Sequence, residues 1–205
     1  SSVDFRGMRV HKTGPWGQGP VFLQQLQLLS QFDLDRLDPL GADYVHLVVE
    51  SAKLCFADRE AYYGDPDASD IPLEVLLSAD YARERAALIG REASLELRPS
   101  HLEGAAERLA RIAARGGSEI PKGPGGGEVT FAAVPEIEGD TVHLDVVDRF
   151  GNMVSATPSG GWLQSSPVVP GLGFPISTRA QMFWLDEGLP STLRPGTRPR
   201  TTLTP

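Results

Sequence analysis

Apolar side chains recur at steps of three and four through the first third of the chain, most regularly at Val45, Val48, Val49, Ala52, Cys55 and Phe56. That period predicts a helix over residues 43–63 with these six side chains turned to a core, ended by Gly64, Asp65 and Pro66. A shorter helix is predicted over 21–31, with Phe22, Leu26 and Leu29 on one side, and a third begins at the capping residue Ser78. Residues 100–115 offer a fourth, polar helix that Gly116 and Gly117 break. From 116 to 128 the pattern dissolves into Gly, Pro, Lys and Ser, the composition of a linker. The period then changes to that of strands: 141–147 is dense in Thr and Val, Arg149-Phe150-Gly151-Asn152 is turn material, and 153–157 returns. A hairpin behind a set of helices predicts an α+β fold in which helices cover sheets.

Composition narrows the class. The chain has 205 residues, 40% of them hydrophobic and 22% charged, which suits one sizeable core and excludes collagen, coiled coil and wholesale disorder. With 19 basic against 27 acidic residues the net charge is −8, so neither nucleic acid nor an anionic membrane is the expected partner; a small-molecule substrate is. Cys55 is the single cysteine and reports nothing about redox compartment, so localisation stays open. No apolar run reaches the roughly 18 residues that span a bilayer. Both ends are abrupt, which leads us to expect a segment of a longer polypeptide.

Common catalytic signatures are missing: there is no GxSxG, HExxH, Walker or GxGxxG sequence. The histidines His11, His46, His101 and His143 are scattered, and all but His143 read as packing or surface residues. Asp65 and Asp67 lie in a turn, where Asp is expected for backbone reasons. Gly125 to Gly127 form no phosphate cradle, since no helix start follows. Of the cations in Arg194-Pro-Gly-Thr-Arg198-Pro-Arg200, Arg194 and Arg198 read as solvated, while Arg200, beside Thr201, is a candidate for an anionic substrate.

One feature is sharper. In Gly139-Asp140-Thr141-Val142-His143 a hydroxyl residue heads a strand directly after a flexible segment. Cutting the Asp140-Thr141 bond would free an α-amine, with an ordinary pKa of roughly 7.7 to 8.0, beside the hydroxyl of the same residue. That residue would then supply both nucleophile and base. Taken alone, β propensity explains a Thr at this position better.

A resemblance alters the balance. The stretch 139–155, GDTVHLDVVDRFGNMVS, resembles the start of the small subunit of the gamma-glutamyltransferase family, self-cleaving N-terminal-nucleophile hydrolases with a Thr-x-His motif, a strand, Asp-x-x-Gly-Asn and a second strand. Upstream, 44–67 and 71–81 resemble the helical end of that family's large subunit. Downstream, Pro199-Arg-Thr-Thr-Leu-Thr-Pro205 resembles the Pro-x-Ser-Ser-x-Ser-Pro segment that helps to hold the substrate carboxylate.

The resemblance implies a four-layer αββα sandwich, only partly covered, with 1–115 as the end of the large subunit, 116–140 as the linker to the processing site and 141–205 as the start of the small subunit. The substrate-carboxylate arginine and the Gly-Gly oxyanion hole of the family would lie outside this chain. It further implies an autoprocessing zymogen that cleaves a γ-glutamyl amide of the glutathione type, by hydrolysis or by transfer to an amine, without metal or cofactor. Its partners would be the two subunits of one precursor, or a dimer of such heterodimers. Thr141 would be the nucleophile and Ser159 a second hydroxyl bonded to it. Thr201 and Thr202 stand for the paired serines, and Gln181 for a glutamine near the substrate's amino group.

Two positions depart from the family pattern. Gly161 replaces an Asn and Trp184 an Asp, both of which hold the glutamyl α-amine. Losing a charge-assisted hydrogen bond costs roughly 1.5 to 3 kcal/mol, or about ten- to a hundredfold in affinity. Trp184 could compensate by cation-π attraction; otherwise the acyl group differs, with Trp162 and Phe183 as further walls. An acylase for non-glutamyl amides and a non-catalytic binding homologue are therefore the competing readings.

Overall fold

The computed structural model describes residues 1–116, 141–159 and 166–203. Its first elements are strands. Ser2–Phe5 (β1) and Met8–His11 (β2) pair antiparallel around a two-residue turn in which Arg6 (φ 51°) and Gly7 (φ 80°) are both left-handed. Two positive φ values give a turn whose twist matches that of the strands it joins. The sequence reading has no strands here, because two runs of four residues are too short to show a period.

The helices follow as Gly19–Leu29 (α1), Ala42–Tyr62 (α2), Leu73–Leu76 (α3), Ala79–Ala86 (α4) and Ala106–Gly116 (α5). Pro20 opens α1, where its missing N–H costs nothing. The Ser78 hydroxyl caps α4 by accepting from the Tyr81 amide at 3.2 Å. α1 packs on α2, on α4 and on β1, and α5 packs on α2. Leu28, Leu54, Cys55, Tyr62, Leu76 and Ile112 fill the space between them, joined from the far end of the chain by Trp184 and Leu189.

The helix over 43–63 forms, but its buried face is not the expected one. Val45, Val49 and Phe56 are 50%, 45% and 37% exposed, while Glu50, Ser51, Leu54, Asp58 and Arg59 are buried. Hydrogen bonds make that possible. Asp58 accepts from Gln24 (2.6 Å), the Ser100 amide (2.7 Å) and the Tyr81 hydroxyl, and Tyr63 donates to Gln24 (2.9 Å). Glu50 takes Lys53, Arg98 (2.9 Å) and the Ser94 amide (3.3 Å). Burial alone would raise the Glu50 carboxyl; these partners bring it below its ordinary range.

In the second part, Leu144–Val147 (β3) and Met153–Ala156 (β4) form the expected hairpin, with Leu144 opposite Ala156 and Val147 opposite Met153. Asp148 shapes its turn, accepting from the amides of Phe150 (2.8 Å) and Asn152 (2.9 Å) and from the Asn152 side chain (2.7 Å). After the 3₁₀ turn Arg179–Met182 the chain runs irregularly back over the helices. The described residues thus form an α+β arrangement of helices and two two-stranded sheets. None of its helices is long and apolar enough to cross a membrane.

Candidate active site at the head of the second hairpin

Thr141 stands at the open end of the β3–β4 hairpin, where the Val142 amide extends the ladder by donating to Pro158 at 3.3 Å. The pairing carries the chain on to Ser159, and the hydroxyls of Thr141 and Ser159 meet at 2.7 Å. Two hydroxyls 18 residues apart come together because both sit just beyond the ends of paired strands. A second cluster lies one step inside. His143 places Nδ1 2.7 Å from the Thr157 hydroxyl and Nε2 3.0 Å from Asp145. The Ser155 hydroxyl, then His143, hold the Asp145 carboxyl below the usual aspartate range.

An open cleft runs beside these groups, bounded by Lys12, Thr141, His143, Thr157, Thr202 and Leu203. Thr202 thus lines the same cleft as Thr141 from the far end of the sequence. Its neighbour Thr201 is fixed by its backbone, its amide donating to the Trp16 carbonyl at 2.7 Å. Lys12, from the end of the first hairpin, had no signal in the sequence that could have placed it here.

Three expected site residues lie elsewhere. Gln181 is exposed on the turn Arg179–Met182, outside this cleft. Trp184 is 7% exposed within the core, and the cation over its ring is Arg200, 4.5 Å from the ring centre. Arg200 itself is 3% exposed and donates to the Arg59 carbonyl (3.2 Å) and to Glu60 (3.1 Å), so it serves as an internal tie rather than facing solvent. Asp140, Gly161 and Trp162 lie outside the described residues. His46 matches its expected packing role, with Nε2 2.8 Å from the Gly90 carbonyl.

Asp65, Asp67 and Arg198 correct the sequence reading. Asp65 is buried and receives the Arg198 amide (2.8 Å), Nε (3.1 Å) and Nη2 (2.7 Å), and Nη2 also reaches Asp67 at 2.7 Å. Asp65 keeps its turn role, its side chain accepting from the Asp67 amide at 3.2 Å, but it is also tied to Arg198, which is therefore no free solvated cation, across 133 residues. The Arg198 hydrogen bonds hold Asp65 below its ordinary range, outweighing burial, and the pairing raises Arg198.

The whole chain, residues 1–205, matches the family model described as gamma-glutamyltranspeptidase. The chain belongs to that family. Among relatives, it is 30% identical over 210 residues to the glutathione hydrolase proenzyme of Bacillus subtilis (strain 168), covering 98% of this chain and 32% of that protein. Among solved structures it is similar to LmbA2991HD, at 51% identity and TM-score 0.75 over 100% of this chain and 32% of the other. A cephalosporin acylase from Bacillus halodurans matches at 28% identity and TM-score 0.70, over 100% and 31%. The chain therefore spans about a third of the length of the relatives it matches. Among the described residues no group of three His, Cys, Asp or Glu side chains is placed to hold a metal.

Proposed function

We propose that the protein is an autoprocessing amidohydrolase and acyltransferase of the gamma-glutamyltransferase kind, with Thr141 as its nucleophile. The contact between the Thr141 and Ser159 hydroxyls at the hairpin head carries this reading. It gives the nucleophile a partner that can orient its proton, and the neighbouring cleft gives a substrate room beside it.

In the proposed chemistry, cleavage of the Asp140-Thr141 bond frees the Thr141 amine. The amine takes the hydroxyl proton as Oγ1 attacks the amide carbon, and the tetrahedral adduct collapses to an ester as the ammonium protonates the leaving amine. Water or an acceptor amine then attacks the ester, releases the acyl group and restores the hydroxyl. Thr201 and Thr202 hold the carboxylate end of the acyl group, while Gly161, which brings no side chain where the family keeps an Asn, leaves the amine end without that partner. Trp184 enters this scheme in a changed role, as the buried support of Arg200 next to Thr201. No cofactor is required.

The domain layout follows: 1–115 closes the large subunit, 116–140 leads to the processing site and 141–205 opens the small subunit of a heterodimer with the four-layer αββα architecture. A non-glutamyl acyl group is the second reading. It is favoured by the cation already over the Trp184 ring, which argues against that ring as the seat of a substrate ammonium.

The test is a panel of γ-glutamyl and non-glutamyl acyl anilides offered to the purified full-length protein and to Thr141→Ala. Turnover by the first and none by the second supports the reading, and the preferred acyl group chooses between its two forms. Equal turnover by both would overturn it.

A further inference from the structure

The segment 198–203 brings Thr202 and Leu203 to the cleft, with Thr201 directly before them, yet it has no regular secondary structure to hold it there. Its order comes from side chains on the other side of the proposed cleavage point. Arg198 makes three hydrogen bonds to Asp65 and one to Asp67. The same guanidinium lies over the Trp16 ring, 4.9 Å from its centre. Trp16 is also the residue whose carbonyl accepts from the Thr201 amide at 2.7 Å. Next to it, Gly17 leaves room for the segment: a Cβ there would stand 3.1 Å from the Leu203 carbonyl oxygen.

Asp65, Arg198, Trp16 and Thr201 therefore form one continuous chain of contacts. Pro199, with its fixed φ, stiffens the step between Arg198 and Arg200. The Asp65 side chain is 4% exposed and Arg198 is 47% exposed, so a buried carboxylate anchors a cation that faces solvent on its other side. An Arg used only for surface solubility has no need of a fork closed on a buried acid.

We infer that Arg198 is a positioning residue for the acyl site: through Asp65 and Trp16 it sets the Thr201–Thr202 segment beside Thr141, so that the geometry of the small-subunit pocket depends on an anchor in the large-subunit part. The inference rests on the reading of Thr141 as nucleophile. It assigns Arg198 no contact with substrate. Weakening the anchor should therefore loosen acyl binding more than it slows the chemical steps at Thr141.

The experiment compares the processed full-length enzyme with Arg198→Ala, Arg198→Lys and Asp65→Asn, and with Arg83→Ala as a control that breaks an exposed ion pair elsewhere. Two readouts are taken: hydrogen exchange at the Thr201 amide, and KM and kcat for the best anilide of the panel. Arg198→Ala and Asp65→Asn should speed Thr201 exchange and raise KM about ten- to a hundredfold, with kcat within about threefold of the parent. Arg198→Lys should recover part of both, and the control should match the parent. Unchanged exchange and KM in Arg198→Ala, or a loss of active fraction with KM constant, would overturn the inference. An inert parent enzyme would instead defeat the reading of the site; the exchange data would then decide by themselves whether Arg198 anchors the segment.

Discussion

Gly64 lies against Pro190 so closely that a Cβ on Gly64 would stand 2.5 Å from the Pro190 carbonyl oxygen. One residue follows the long helix α2 and the other belongs to the segment that runs back over the helices, so this backbone contact joins the two sides of the proposed cleavage point. Near it, Trp184 and Leu189 enter the core made by the helices, and Arg111 donates to the Glu187 carbonyl at 3.2 Å. Gly64→Ala should force the two backbones apart. We expect a loss of about 1–3 kcal/mol in the urea-unfolding free energy, the ordinary range for overpacking. An unchanged urea midpoint would show that the contact is slack.

The Ser159 hydroxyl should matter to chemistry more than to stability, since it is bonded to an exposed Thr141 rather than to the core. Ser159→Ala should slow turnover about five- to tenfold, in line with one net hydrogen bond of about 1 to 1.5 kcal/mol, and leave the urea midpoint unchanged. Ser159→Thr, which keeps the hydroxyl, should recover most of the rate. Steady-state kinetics on the three proteins check this.

Acid should weaken the join between the two parts. Asp65 is held below its unfolded-state pKa by Arg198, so its contribution is fully present above that unfolded value and is lost as pH falls through the folded one. The urea midpoint should therefore fall below about pH 4, and Asp65→Asn should lower it at pH 7 while flattening that acid limb. Parallel limbs for parent and variant would contradict the assignment.

Arg200 and Trp184 are predicted to act as structure. Trp184→Ala should cost about 3–5 kcal/mol, as for a buried aromatic replaced by Ala. Arg200→Ala should cost about 1–3 kcal/mol by removing its hydrogen bonds to Glu60 and the Arg59 carbonyl, with Glu60 still paired to Arg59. Chemical denaturation measures both. If either variant keeps full stability and loses only substrate affinity, the direct substrate role first expected from the sequence is the right one.

The sequence disclosed elements and local motifs well and long-range pairs poorly. The helix over 43–63 was legible because its period repeats over enough residues, and the hairpin at 141–157 because runs dense in Thr and Val flank the turn residues Arg149-Phe150-Gly151-Asn152. The buried face of α2 was not, because Glu50, Asp58 and Arg59 look like solvent-facing residues until Gln24, Tyr81, Arg98 and Ser100 supply their partners. For the same reason Asp65, which does shape its turn, gave no sign of its second role as the partner of Arg198, and Arg198 read as a solvated cation. Thr141 and Ser159 could be paired beforehand through family resemblance and not through spacing, since 18 residues of hairpin impose no contact until register is known. Lys12 stayed hidden, because nothing local ties a lysine at the end of a short first hairpin to a threonine in the second.

The central claim is that Thr141 becomes an N-terminal nucleophile. Its most direct test is an intact-mass and N-terminal-sequencing time course on the full-length purified protein and its Thr141→Ala variant. The account predicts a new chain beginning Thr-Val-His-Leu in the parent and an uncut chain in the variant. A parent that stays whole, or a variant that cleaves at Asp140-Thr141 at the parental rate, would contradict it.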